Sequence, residues 1–157
     1  MNTEVMFSSA SGEWSTPEGL FKALDEEFHF TLDAAASDEN HLCEQYYTVK
    51  DDALTQPWSG TVWCNPPYGR QVGDWVNKAF REVGGVLPTS MPSNANVVVM
   101  LLPARTDTRW CQLILASHHH GMPRVVSDVR FLPGRLKLGG AKNSAPFPSM
   151  IVVFKRS

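Results

Sequence analysis

The tetrapeptide Asn65-Pro66-Pro67-Tyr68 is the stretch of this chain whose residue types and spacing suit chemistry most directly. It sets an amide side chain, a stiffened backbone and an aromatic ring within four positions. An amino group on an aromatic ring is a poor nucleophile, because its lone pair is delocalised into the ring. Two hydrogen-bond acceptors, one for each N–H, pull such a nitrogen toward tetrahedral geometry and return the lone pair to it. The Asn65 side-chain oxygen and the Pro66 backbone carbonyl are candidates for these acceptors. Each proline fixes its own φ and restricts the residue before it, so the acceptors would be presented from a rigid turn. Tyr68 would offer a face on which a flat base can stack. The spacing alone leaves two readings open: group transfer to a planar amino nitrogen, and a plain proline turn between a strand and a helix.

A loop with this task needs rigid elements on both sides. The apolar run Thr61 to Cys64 predicts a strand before it, and Val72, Trp75, Val76, Ala79, Phe80 and Val83 predict an amphipathic helix after it. Upstream, Ser15-Thr16-Pro17-Glu18 reads as a helix start with a hydroxyl cap and a proline in the first turn. Leu20, Phe21, Leu24 and Phe28 carry that helix to about residue 28. Phe30 to Leu32 predicts a short strand ending at Asp33 and the small run Ala34-Ala35-Ala36. Residues 37–58 read as loop with one helical turn. Residues 84–96, with two glycines and two prolines, read as an exposed loop. Val97 to Leu102 has the length and continuity of a strand buried on both faces. Thr106 or Asp107 can cap a helix carrying Trp110, Leu113 and Ile114 and stopping near Gly121. Three closing strands are expected at Val125–Leu132, Arg135–Leu138 and Met150–Phe154, with a Pro133-Gly134 turn joining the first two in a hairpin. The alternation predicts a single α/β domain over residues 14–157 behind a loose tail at 1–13. Its sheet would be trimmed and Rossmann-like, mostly parallel, with an antiparallel C-terminal hairpin.

A chain of 157 residues with 43% hydrophobic content is expected to bury one sizeable core. The longest apolar run is far too short to span a bilayer, and no basic start followed by an apolar stretch marks a secretory signal. Three widely spaced cysteines, Cys43, Cys64 and Cys111, form neither a disulfide framework nor a zinc pattern, so a reducing cytoplasmic setting is the default. His118-His119-His120 reads as a helix C-terminus rather than a metal site, because adjacent histidines do not converge on one ion. No metal is expected. The net charge of −2 hides an asymmetry: residues 1–96 hold 14 acidic and 5 basic side chains, and residues 97–157 hold 2 and 9. A basic C-terminal third could neutralise phosphates; equally, the two parts could interleave in the fold.

In open α/β sheets, ligands sit beyond the carboxyl ends of the strands. Asp33 closes the first expected strand, Asn65 the second, and Arg105 and Asp107 follow the third. Asp33 suits either a helix cap or a ligand contact. The segments Trp14-Ser15-Thr16-Pro17, Phe30 to Ala36, Asp52-Ala53-Leu54, Trp63 to Gly69, Leu101 to Trp110 and Gly134-Arg135 together resemble the phage-type, Dam-like DNA N6-adenine methyltransferases, in order from about residue 13 to 154.

That resemblance implies S-adenosylmethionine as cofactor and direct in-line methyl transfer to the N6 amino group of adenine in double-stranded DNA. It places Trp14, Thr16 and Pro17 at the methionine end of the cofactor, and Asp33, Ala34 and Ala35 in a shortened cofactor motif. Asp52 falls near the cofactor adenine. Asn65, Pro66, Pro67 and Tyr68 form the catalytic loop, with Asn65 also facing the cofactor. Two departures stand out. The usual glycine-rich loop is replaced by Asp-Ala-Ala-Ala, and only 18 residues separate Asp33 from Asp52. Either the sheet is trimmed there or Asp51 takes the place of Asp52; Asp38, Glu39 or Asn40 is the candidate for the ribose. A paired adenine must be flipped out to react, which calls for phosphate anchors, and Arg70, Arg105, Arg109, Arg130, Arg135 and Lys137 are the candidates. Alternative acceptors are cytosine N4, an RNA base or a protein glutamine, and a non-catalytic DNA- or cofactor-binding module is the alternative of another class. The resemblance points to the cytoplasm of a bacterial or phage-infected cell, with no membrane partner, and leaves a homodimer on DNA open.

Overall fold

The apolar runs at residues 60–64, 95–103 and 149–156 are buried over most of their length and form the centre of a six-stranded sheet. The computed structural model describes residues 15–84, 95–120, 125–137 and 144–156, with only the backbone of residues 117–120 and 126. The tail at 1–13, Trp14 and most of the 84–96 loop lie outside the described residues. In chain order the elements are α1 (Glu18–Phe28), β1 (Leu32–Asp33), β2 (Gln45–Tyr46), a 3-10 turn (Ala53–Thr55), β3 (Gly60–Cys64), α2 (Val72–Glu82), β4 (Ala95–Pro103), α3 (Arg109–His120), β5 (Val125–Phe131) and β6 (Ser149–Arg156). The sheet order is β2-β1-β3-β4-β6-β5. The pairs β2–β1, β1–β3 and β3–β4 are parallel, and β6 runs antiparallel to both β4 and β5. This is the expected single α/β domain with a mostly parallel sheet and an antiparallel ending. No helix among the described residues is long and apolar enough to cross a membrane.

Side chains alternate between the two faces of the sheet. One face carries Trp63, against which α1 packs an aromatic cluster: Phe21 lies 5.6 Å from Trp63 and 5.5 Å from Phe30 between ring centroids. The other face carries Phe154, whose ring meets Phe80 of α2 at 6.1 Å, and α3 lies beside it. α1 closes at His29, whose left-handed backbone (φ 57°) returns its N–H to the Asp25 carbonyl. The Asp25 carboxylate then accepts the Phe30 N–H at 2.9 Å. Where β1 approaches β3, Thr31 Oγ1 accepts the Thr61 N–H at 3.1 Å. A Cβ at Gly60 (φ 73°) would lie 2.5 Å from that oxygen, so only glycine fits the crossing.

Four sequence expectations need correction. Pro17 itself stands at the N-cap of α1, with no side-chain cap, because the Thr16 hydroxyl bonds elsewhere. α3 is capped by Thr108, whose Oγ1 accepts the Cys111 N–H at 3.3 Å, rather than by Thr106 or Asp107. Residues 135–137 form no strand; β5 pairs with β6, so the antiparallel hairpin spans the long connection 132–148 instead of the Pro133-Gly134 turn. β2, a two-residue edge strand, lies in a segment read as loop.

Beneath α2 lies a buried ion pair. Lys78 Nζ meets Glu82 Oε1 at 2.5 Å with both side chains 7% exposed, while Glu82 Oε2 accepts the Trp58 N–H at 3.2 Å. Lys78 also lies 5.8 Å from the Trp58 ring centroid. Removing one partner strands the other charge in the core, which costs about 3–5 kcal/mol. Lys78→Met should therefore lower unfolding stability in urea by about 3 kcal/mol, and K78M/E82Q should recover most of that loss, since a glutamine oxygen still accepts from Trp58. A double variant no more stable than Lys78→Met would contradict this account.

Candidate functional site

A cavity of about 270 Å³ opens where β1 and β3 end. Its walls come from residues 33–37, the loop 48–54, and Asn65 to Tyr68 with Ser15 and Thr16 beside them. Asn40, Leu42, Tyr47 and Trp63, with Gln71 at the N-cap of α2 and Trp75 within it, complete the lining.

The first wall is organised by Asp33. Its side chain is 3% exposed; Oδ1 accepts the Ala35 N–H at 3.3 Å and Oδ2 accepts the Leu42 N–H at 3.0 Å. Its backbone carbonyl accepts from Tyr47, and Ala34 N–H donates to Trp63 on β3. No helix follows Asp33, so the cap reading gives way: the carboxylate holds together the irregular crossover from β1 to β2. This crossover is how the trimmed sheet spans the short interval to Asp52. Burial raises the carboxyl pKa above its ordinary value, and the Leu42 and Ala35 N–H groups work against that rise. Ala34, Ala35 and Ala36 then present little more than backbone to the cavity.

The second wall separates two adjacent acids. Asp51 Oδ2 accepts from Thr48 N–H at 2.7 Å and Thr48 Oγ1 at 3.2 Å, and Asp51 does not line the cavity. Asp52, with a left-handed backbone (φ 54°), is exposed and does line it. The geometry thus favours Asp52 over Asp51. Of the three ribose candidates, Asn40 lines the cavity; Asp38 accepts the Tyr46 hydroxyl at 2.9 Å, and Glu39 is exposed away from the lining.

The third wall is the Asn65–Tyr68 loop. Asn65 Nδ2 donates to Thr16 Oγ1 at 3.2 Å, which fixes the donor end of the amide and ties the loop to the entry of α1. Tyr68 is buried; its hydroxyl donates to the Leu101 carbonyl on β4 at 3.3 Å. Its ring meets Phe147 edge-on at 5.3 Å. Burial, with a smaller contribution from Cys64, raises the Tyr68 pKa, so the phenol stays neutral. The Cys64 thiol is likewise pushed up by burial and by the Asp33 charge, which leaves it protonated and a poor nucleophile. Among the described residues no cluster of three potential metal ligands occurs.

Thr16, Asp33, Ala34, Ala35, Asp52 and the whole Asn65–Tyr68 loop therefore converge, whereas Pro17 does not line the cavity and Trp14 lies outside the described residues. Arg70, Arg105, Arg109, Arg135 and Lys137 are exposed and follow the carboxyl ends of β3, β4 and β5, which point the same way. Arg105 also lies 5.7 Å from the Phe147 ring centroid. Arg130 is a correction. Its guanidinium is forked onto Glu27 at 2.7 and 2.6 Å and bonded to Asp128 at 3.2 Å, so it ties α1 to β5 rather than offering a cation to phosphate. Sequence reasoning missed Leu42, Val49, Gln71 and Phe147. Gln71, the N-cap residue of α2, stands at i, i+4 spacing from Trp75, a signal that could have joined Gln71 to the site.

The Asp33 bonds are testable through pH. A carboxyl whose folded pKa is raised contributes stability that is present below its ordinary value of 3.8 and is lost as pH rises through the folded value. The stability of the wild type relative to Asp33→Asn should therefore increase as pH falls from 7 toward 4, as read by denaturant unfolding. A pH-independent difference would contradict it. Asp33→Ala, which also strands two N–H groups, should cost about 2 kcal/mol near pH 7 and progressively more toward pH 4.

Comparison with known proteins bears on what such a cavity is for. A family model described as DNA N-6-adenine-methyltransferase (Dam) matches residues 5–157. The chain is 36% identical over 100 residues to the DNA N-6-adenine-methyltransferase of Escherichia phage T1, which covers 62% of this chain and 38% of that protein. The chain thus spans well under half of that relative. Among solved structures, the 23S rRNA methyltransferase ErmE aligns with a TM-score of 0.57 over 92% of this chain and 70% of that one, at 12% identity. That likeness concerns the fold alone.

Proposed function

This chain belongs to the DNA N-6-adenine-methyltransferase (Dam) family, and from that premise we propose that it methylates the N6 amino group of adenine in double-stranded DNA, using S-adenosylmethionine. The observation that carries the reading is the convergence of the Asn65–Tyr68 loop with Thr16, Asp33 and Asp52 on one cavity.

The residues present fit the cofactor. The wall of three alanines admits a ligand close to the backbone, an exposed acid at Asp52 can accept from an adenine amino group, and Asn40 stands on the wall as a ribose partner. Thr16 and Asn65 offer hydroxyl and amide groups for the methionine part. When bound, S-adenosylmethionine supplies an electrophilic methyl group on a sulfonium.

The protein's own part is to hold the target amine and sharpen it. The Asn65 side-chain oxygen and the Pro66 carbonyl accept its two N–H groups, which gathers the lone pair onto nitrogen and stabilises the charge that develops there. The Thr16 bond to Asn65 Nδ2 keeps the amide oxygen from exchanging places with the nitrogen. Tyr68 borders the loop and is locked by Leu101 and Phe147, so the ring is placed before the base arrives. The base must leave the duplex to reach this loop. The exposed cations beyond β3, β4 and β5 stand on the same edge as the cavity and suit the flanking phosphates.

Incubation with labelled S-adenosylmethionine and DNA, RNA or protein, followed by identification of the modified nucleoside, tests this directly. N6-methyladenine in DNA is expected, and Asn65→Ala should reduce its formation at least roughly a hundredfold. Label in RNA, in protein or at cytosine N4 would refute it. Arg105→Ala and Arg135→Ala should each weaken DNA binding for all sequences alike and lower the slope of log affinity against log salt by about one. Arg130→Ala should leave that slope unchanged while lowering thermal stability.

A further inference from the structure

The sheet ends in two unlike edges. On one side β2 has only two residues, too short to template another strand. On the other, β5 runs seven residues in unbroken register with β6 and, among the described residues, pairs with no other strand. It contains neither proline nor lysine, the residues that commonly blunt an open edge. Its phase is fixed by Leu132, whose N–H donates to the Ser149 carbonyl at 3.1 Å. Antiparallel bonds fall on alternate residues, so Asp128 and Arg130 turn their main chains to β6, while Val129 and Phe131 turn theirs to the open edge. The side chains alternate as well. Asp128 and Arg130 share the face of α1, where Arg130 reaches Glu27; Val129 and the 63% exposed Phe131 share the other.

We propose that this edge takes a second copy of the chain, β5 against β5, in antiparallel register centred on Val129. The two Val129 main chains then exchange both of their hydrogen bonds. Each Asp128 stands opposite the partner's Arg130, at the position between bonded pairs where facing side chains come closest. The carboxylate, half exposed beside its own Arg130 in the single chain, gains a second guanidinium. Phe131 lies diagonal to the partner's Val129, within reach of an aromatic ring. Charge pairing selects this register, because moving the centre to Phe131 would set Arg130 opposite Leu132 instead. The strands of the two copies run in opposite directions across the seam. Their cavities therefore open at opposite strand ends of the joined sheet, and the two copies do not share one duplex site.

Sedimentation equilibrium of the full chain, from micromolar to millimolar loading, tests it. The apparent mass should climb with concentration toward twice that of one chain. Val129→Pro removes an outward N–H and no bond to β6, and should weaken association at least roughly tenfold. Asp128→Arg, which sets like charges opposite each other, should weaken it by about as much. Under mild oxidation Val129→Cys should form a covalent dimer beyond any seen in the wild type, since facing Cα atoms of a bonded pair lie about 5.5 Å apart. Phe131→Cys should not, because the two copies of that position stand about 14 Å apart along the seam. A chain that stays monomeric throughout, a dimer that Val129→Pro leaves unchanged, or cross-linking at position 131 and not at 129 would overturn the proposal.

Discussion

The buried carboxylate of Asp33 is the constraint on which the site depends. A parallel pair of strands usually needs a long crossover, most often a helix. Here the crossover from β1 to β2 has no helix, and the Asp33 side chain supplies what the helix would: it gives fixed partners to the Ala35 and Leu42 amides and so decides where the chain turns back. Its main chain is shared too, with Ala34 bonded to β3 and Tyr47 bonded to Asp33. One residue thereby sets the distance between the strand that delivers the Asn65–Tyr68 loop and the loop that delivers Asp52. The cavity is the space that this distance leaves.

The opposite wall is secured in a different way. Tyr68 is anchored through its hydroxyl to β4 and through its ring to Phe147, a residue from the connection that leads into β6. Arg105, just past the end of β4, lies over the same phenylalanine. A surface cation past the end of β4 and the aromatic of the Asn65–Tyr68 loop thus share one buried neighbour. Side chains that rest on strands hold their positions more closely than those on free loops, and this loop borrows that rigidity from β4.

The sequence made visible whatever depended on local pattern. The strand ending at Cys64, the amphipathic α2 and the buried β4 all announce themselves by periodicity, and the Asn65–Tyr68 loop by its rare residue types. The resemblance of the whole chain to the adenine methyltransferases was legible on the same segments. What stayed hidden depended on partners distant in the chain. Arg130 reads as one more basic residue in a basic third; only its fork onto Glu27, 103 positions away, makes it a structural tie. Thr16 reads as a helix cap until Asn65, 49 positions on, is seen to claim its hydroxyl. Gln45-Tyr46 has neither the length nor the alternation of a strand, and becomes one only because β1 offers an edge. The misplaced hairpin has the same origin: Pro133-Gly134 is a good local turn, but β5 gains more by pairing with the apolar run at 149–156 than with Arg135 to Leu138.

The position of β6 has a consequence for the birth of the molecule. It lies between β4 and β5 although it follows both in the chain. As the polypeptide is made, an interior strand, one in from the sheet's edge, is therefore the last of the six to arrive. Until residues 149–156 emerge, the apolar edge of β4 has no neighbour on that side, and β5 has no strand to join at all. Such an edge is a template for any passing extended segment, including one from another nascent chain. The sheet closes by insertion into a waiting gap rather than by growth at a rim, and yield during synthesis hangs on how long that gap stays open.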